Sequence, residues 1–179
     1  MRPGFAVDID NVLAIAEDEV QRIFQELTGE AWPGDLYASA GGLDGSALDR
    51  SVIEQIFDYF HDRSIPALPV VPGARLALET LQEQFRIVII TARRPSARPQ
   101  TLEWLHRHEL PFDELHLTGE KTDVSEGVVC AVDDHPAHIQ DYLSRGIQTF
   151  LMDQPWNRSF SRVGVTRVEN WEQLLQTFH

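Results

Sequence analysis

At 179 residues the chain is long enough for one solid hydrophobic core with a small inserted subdomain, and too short for a second full domain. Hydrophobic residues make up 42% and charged residues 24%, which excludes a disordered or membrane-embedded chain. The formal charge of -13 argues against extended nucleic-acid or anionic-membrane surfaces, because both demand basic patches; an anionic partner has to be small and locally compensated.

The first predicted strand, residues 4–9, runs through Phe5-Ala6-Val7 into two acids, Asp8 and Asp10. Alternation puts both carboxylates on one face of an extended segment, converging at its carboxyl end. Acids also end strands, open turns and cap helices, so the pair gains meaning only from its company. Residues 15–68 then carry two helical stripes and no strand pattern: Val20, Ile23, Phe24 and Leu27, then Val52, Ile53, Ile56, Phe57 and Phe60. Ser46 with Asp49 marks the start of the second helix. The loop between them holds Trp32, Pro33, Tyr37 and Gly41-Gly42. Pro66, Pro69 and Pro72 mark the return to the core.

From there strands and helices alternate. A helix with Leu76, Leu78 and Leu81 follows Val71-Pro72-Gly73, and a strand spans 86–91. A helix with Leu102, Trp104 and Leu105 follows Pro99; strands span 115–118 and 128–133. A helix with Ile139, Tyr142 and Leu143, closed by Gly146, leads into a strand at 148–152. This order predicts right-handed crossovers and an α/β fold, an open Rossmann-like parallel sheet with flanking helices and a small helical cap inserted after the first strand. The expected core is 1–14 and 69–179, and the cap is 15–68. The longest apolar runs, such as Ile87-Val88-Ile89-Ile90, are strand length, and the N-terminus lacks the pattern of a signal peptide, so a cytoplasmic protein is expected. The single cysteine, Cys130, lies in the apolar run Val128-Val129-Cys130-Ala131-Val132 and reads as strand core.

In parallel α/β sheets ligands collect at the carboxyl ends of the strands. Those ends carry Asp8 and Asp10, then Thr91-Ala92-Arg93, then Asp133-Asp134, with Lys121 in the connection before the fourth strand. Lys121 is the only lysine in the chain, beside fourteen arginines. A compact ammonium can approach a phosphate oxygen and a carboxylate together. Two like unit charges about 4 Å apart repel by roughly 4 kcal/mol at an effective dielectric of about 20, so the acids need compensation. Mg²⁺ suits a few carboxylates with water and substrate phosphate, and the lysine supplies the remainder. His135 and His138 read as a turn and helix start, and His106 and His108 face different ways on a surface helix.

These strand ends resemble the haloacid dehalogenase-like phosphatase superfamily: Asp8-Ile9-Asp10-Asn11-Val12 fits its Asp-x-Asp-x-(Thr/Val) motif, and Thr91, Lys121 and Asp133-Asp134 follow in the family's order. Val71-Pro72-Gly73-Ala74, Ile90-Thr91-Ala92-Arg93, Thr101-Leu102-Glu103-Trp104-Leu105 and Asp153-Gln154-Pro155-Trp156-Asn157 are similar to the C-type 5'-nucleotidases, including the 5'(3')-deoxyribonucleotidases. Asn11 departs from the glycine usual there. The resemblance implies a Mg²⁺-dependent phosphomonoesterase with Asp8 as nucleophile through an aspartyl-phosphate and Asp10 as acid/base. It implies metal held by Asp8, the Asp10 carbonyl and Asp134, with Asp133 in support. Thr91, nearby backbone N–H groups and Lys121 would hold phosphate. The implied substrate is a (deoxy)nucleoside monophosphate; another small metabolite such as a sugar phosphate is the alternative, and a non-catalytic phosphate-binding or signalling module a remote one. Trp32 and Tyr37 are open between base stacking and cap packing, with packing favoured. Arg93, ahead of Arg94 and Arg98, is expected to gather an anionic substrate. Trp156 is placed at the rim of the site, as loop packing or substrate contact.

Overall fold

The architecture was taken from a computed structural model, which describes residues 2–32 and 48–178. Among them six strands form one all-parallel sheet: β1 Gly4–Val7, β2 Arg86–Thr91, β3 Glu114–Leu117, β4 Val128–Asp133, β5 Gln148–Met152 and β6 Val165–Val168. Their order is β3-β2-β1-β4-β5-β6. Side chains of successive residues point to opposite faces, which sorts the apolar runs into two layers. Phe5, Val7, Ile87, Ile89, Cys130, Val132 and Phe150 join the larger core, while Ala6, Val88, Ile90 and Ala131 join a smaller one with Tyr142 and Ile147. Six α-helices among the described residues accompany the strands: α1 Glu17–Thr28, α2 Arg50–Tyr59, α3 Ala74–Leu81, α4 Arg98–Arg107, α5 Pro136–Ser144 and α6 Trp171–Gln176. The Rossmann-like α/β expectation holds.

Several details differ from the sequence reading. The first strand ends at Val7 rather than at residue 9, because from Ile9 the chain curls: the Ile9 carbonyl accepts from the backbone N–H groups of Val12, Leu13 and Ala14. Strand β6 and helix α6 were not anticipated. A four-residue edge strand with only Val168 fully buried carries too little apolar pattern to register. Leu76, one of the three leucines that marked α3 in the sequence, is 65% exposed; Ala74, Ala77, Leu78 and Leu81 make the buried face. Asp49 caps α2, its carboxylate accepting from the Ser51 N–H at 2.8 Å. Ser46, Pro33, Tyr37, Gly41 and Gly42 lie outside the described residues.

The chain runs outward from β1 to β2 and β3 on one side, then resumes with β4 on the other, so the order reverses between β1 and β4. A crevice forms at such a reversal, since the flanking connections diverge there. Just beyond β1, Ala14 bridges antiparallel to Val70. Ile15 donates to the Pro69 carbonyl and Val71 to the Leu13 carbonyl, both at 2.8 Å. The outgoing and returning chains therefore lie side by side, and the excursion begins and ends at the crevice. Its helices pack on one another, with Val20, Ile23 and Phe24 of α1 and Ile53 and Ile56 of α2 buried.

Asn11 fixes where the excursion starts. Its φ of 61° is left-handed, which asparagine tolerates better than most residues. The N-cap position of α1 is Ala16, which has no capping oxygen. Asn11 Oδ1 substitutes, accepting from the N–H groups of Ala16 at 3.2 Å and Glu17 at 2.9 Å. Glycine would meet the backbone requirement and lose the cap. Asn11→Gly is expected to cost about 1 kcal/mol in urea unfolding and Asn11→Ala about 2 kcal/mol, the second adding left-handed strain. Equal stability of Asn11→Gly and the parent chain would show that the cap contributes nothing.

Candidate active site

Two neighbouring strands bring the acids together. Asp8 stands one residue beyond β1, and its N–H still bonds the Val132 carbonyl of β4 at 3.1 Å. That places it beside Asp133, the last residue of β4, and Asp134. One carboxylate oxygen from each of Asp8, Asp133 and Asp134 lies within 4.8 Å of the others, and all three residues are buried. Lys121 opens a short 3₁₀ turn, Lys121–Val124, after β3. Its Nζ lies 2.7 Å from Asp8 Oδ1 and 2.7 Å from Asp133 Oδ2, with the side chain 2% exposed.

One ammonium cannot serve three buried carboxylates equally. For Lys121, burial works downward but Asp133 and Asp8 outweigh it, holding the ammonium charged well above the usual lysine range. For Asp133, burial works upward but Lys121 and then His138 prevail, keeping it well below the usual carboxylate range. His138 Nδ1 sits 3.3 Å from Asp133 Oδ1, which also accepts the His135 N–H at 2.9 Å. Asp8 is pushed up to about 6, by burial against the pull of Lys121, with repulsion from Asp133 and Asp10 added. Asp134 is driven well above its ordinary value, by burial and then by Asp133 and Asp8. Lys121 thus bridges Asp8 and Asp133, and one ammonium faces three buried carboxyl groups, with burial and mutual repulsion raising Asp8 and Asp134. Hard carboxylate oxygens, buried and in excess, are the donor set of a divalent cation such as Mg²⁺ or Ca²⁺. The residues present fit a metal.

The Asp10 carboxylate stands outside this three-acid group but close enough for its charge to act on Asp8 and Asp134. Arg93 grips it with two hydrogen bonds, Nε to Oδ2 at 2.9 Å and Nη2 to Oδ1 at 2.6 Å. The remaining Nη1 donates to Thr101 Oγ1 at 3.2 Å, and the guanidinium lies 5.9 Å from the Phe60 ring and 5.8 Å from the Trp104 ring. With its side chain 1% exposed, Arg93 is an internal partner of Asp10 here rather than a collector of anions at the surface. Arg94 pairs with Asp58, and Arg98 donates to the Leu115 carbonyl. Thr91, at the buried end of β2, accepts the Arg93 N–H on Oγ1 at 3.3 Å, and Ala92 beside it is exposed.

Two cavities flank these strand ends. One, of about 430 Å³, is lined by Asn11, Gln21, Trp32, Pro72, Gln154 and Trp156. The other, of about 290 Å³, lies against Ala92 and Arg94 on the core side and Ile53, Phe57 and His61 on the excursion side. Trp32 packs edge-on against Phe24 with centroids 5.3 Å apart, so it is part of the excursion's core while also lining a cavity. Tyr37 lies outside the described residues. Burial pulls the His61 imidazole down to about 4, and its Nδ1 has no hydrogen-bond partner. Burial pushes the Cys130 thiol up to about 11, the behaviour of an inert core residue. Sequence reasoning missed the contacts of His138 with Asp133 and of Trp156 and Asn157 with Asp134. His138 reads in the sequence as a helix start and Asn157 as part of a family-like stretch; Trp156 alone is placed at the rim of the site.

A family model described as 5' nucleotidase, deoxy (pyrimidine), cytosolic type C protein matches residues 2–178. A protein of Chlorobaculum tepidum, provisionally named a 5'(3')-deoxyribonucleotidase, is 27% identical over 94% of this chain and 86% of its own length. A provisionally named nucleotidase of Oceanobacillus iheyensis is 28% identical over 96% of this chain and 97% of its own. Among solved structures, a haloacid dehalogenase-like hydrolase from Streptococcus pneumoniae aligns with a TM-score of 0.73 at 14% identity, covering 99% of each chain. CbbY from Rhodobacter sphaeroides, in complex with phosphate, aligns at 0.67 and 17% identity, covering 97% of this chain and 96% of that one. At these identities the solved structures establish the fold.

The charge surplus has a measurable consequence. Because the Asp8 carboxyl rises from its ordinary 3.8 to about 6 on folding, the folded state binds the extra proton, and stability falls as pH rises from about 4 to about 6. In chelator at pH 7.5, Asp8→Asn is expected to stabilise the protein by about 1–2 kcal/mol, the loss of the Lys121 contact offsetting part of the relief. The difference should shrink toward pH 4. A lower melting temperature for the variant at pH 7.5 would contradict this.

Proposed function

The chain belongs to the cytosolic type C family of 5'-nucleotidases and is a phosphoric monoester hydrolase of haloacid dehalogenase-like fold; from that premise we propose a 5'-nucleotidase acting on (deoxy)nucleoside monophosphates through Asp8. The observation that carries this reading is the bridging of Asp8 and Asp133 by Lys121, at 2.7 Å each, beside Asp134 at the reversal of strand order. The names of the relatives support the nucleotide as substrate.

In this scheme the phosphoryl group enters between Asp8, Lys121 and the end of β2. Lys121 holds the nucleophile and one phosphoryl oxygen, and Thr91 with the backbone N–H groups that follow it, Ala92 included, takes the others. An Asp8 oxygen attacks phosphorus in line, the bond from phosphorus to the ester oxygen breaks, and Asp10 delivers a proton to the departing alcohol. Asp10 then removes a proton from a water molecule that attacks the aspartyl-phosphate, and phosphate leaves with Asp8 restored. Arg93 sets the orientation of the Asp10 carboxylate between these steps. Mg²⁺, held by Asp8, Asp134 and the Asp10 main-chain carbonyl with Asp133 in support, would neutralise charge on the phosphoryl oxygens. Residues 15–68 serve as a cap that excludes water and contributes specificity contacts.

Phosphate release should be measured across nucleoside 5'- and 3'-monophosphates with sugar phosphates as controls. Turnover is expected with a nucleoside monophosphate, abolished by chelator and restored by Mg²⁺. Asp8→Asn should lower kcat by about 10³-fold or more, since it removes the attacking group. A clear preference for sugar phosphates would overturn the nucleotidase assignment while leaving the hydrolase class intact.

A further inference from the structure

The loop that follows β5 does more than connect two strands. The Trp156 indole Nε1–H donates to Asp134 Oδ2 at 3.2 Å. The Asn157 amide Nδ2 donates to the Asp134 carbonyl and to the Met152 carbonyl, both at 2.8 Å. The Gln154 amide Nε2 donates to the carbonyl of Asn11 at 2.9 Å, on the loop that carries Asp8 and Asp10. One short segment therefore grips both strand ends from which the acids project.

The grip is itself braced. Asn157 is fully buried and its side-chain oxygen accepts from the Gln154 N–H at 3.2 Å and from Arg167 Nη1 at 2.7 Å. All four hydrogen-bonding positions of that amide are used. Arg167, from β6, also reaches the carbonyls of Asn157 and Phe160 at 3.0 and 2.7 Å and pairs with Asp153 at 2.7 Å. The edge strand that sequence patterning overlooked supplies this brace.

The chemistry of the donor matters. An arginine or lysine on Asp134 would orient it and cancel its charge, as Lys121 does for Asp133. An indole N–H orients the carboxylate and leaves the charge for a cation. We propose that Trp156 is a positioning residue for Asp134 and that Gln154-Pro155-Trp156-Asn157 is a clamp setting the spacing between the Asp134 carboxylate and the Asp8 loop. The inference rests on the reading of the acid cluster as a divalent-cation site.

The test is calorimetric titration of Mg²⁺ into the whole protein and into Trp156→Phe, which keeps an aromatic ring on the partly exposed wall of the cavity and removes the indole donor to Asp134. The variant is expected to bind Mg²⁺ about tenfold or more weakly, the usual loss when a partner behind a ligand is removed. The Mg²⁺ concentration for half-maximal turnover should rise by the same factor, with the substrate KM within about twofold and the melting temperature in chelator unchanged. Equal Mg²⁺ affinity in both proteins would overturn the clamp alone. Absence of Mg²⁺ binding by the parent protein would remove the cation reading and the clamp with it. Should Trp156→Phe not melt cooperatively, Gln154→Leu tests the other end of the grip: weakened Mg²⁺ binding supports the clamp, and unchanged binding overturns it.

Discussion

Three buried carboxylates around one ammonium form the constraint on which the rest of this molecule depends. No packing argument would put Asp8, Asp133 and Asp134 together, since each pair of like charges works against folding. The sheet makes the arrangement unavoidable: β1 and β4 are neighbours in register, so whatever follows Val7 must lie beside whatever follows Val132. What the fold can do is fix the backbone around the repulsion. Trp171 Nε1 donates to the Val12 carbonyl at 2.9 Å, one residue from the Gln154 contact at Asn11. Residues some 140 to 160 positions away in sequence thus hold the first loop still while its carboxylates repel one another.

How the excursion meets the core is equally physical. The two rings beside Arg93 come from different parts of the chain: Phe60 from the turn directly after α2 and Trp104 from α4. Trp104 in turn donates its indole N–H to the Leu68 carbonyl at 2.8 Å, on the returning chain. Arg93 is therefore at once the partner of Asp10 and a packing surface shared by excursion and core. After α2 the helix widens into a π-type turn over Phe60–Ser64, which carries Phe60 over the guanidinium and buries His61. A movement of this turn would be felt at Asp10 through one side chain.

Much of this was legible in the sequence. The apolar runs that become β1, β2, β4 and β5 are nearly continuous, as strands buried on both faces must be, and acids at their ends stand out against them. Lys121 stood out by being alone. What stayed hidden depends on contacts between distant segments. Nothing in Ile90-Thr91-Ala92-Arg93 says that the arginine turns inward to meet Asp10. The brace from Arg167 to Asn157 lies between an edge strand too short to signal itself and a loop with no periodicity. Asn11 was visible as a departure from glycine, but its reach to the first turn of α1 is a property of the folded turn.

The lone lysine also shapes how this protein meets reagents. With every other basic side chain an arginine and Lys121 only 3% exposed, the folded surface offers acylating or alkylating amine reagents no lysine side chain. Any lysine adduct must form at the crevice itself, after the ammonium has left both carboxylates. Lysine labelling of this chain therefore acts as a clock, its rate counting the excursions in which the site comes apart.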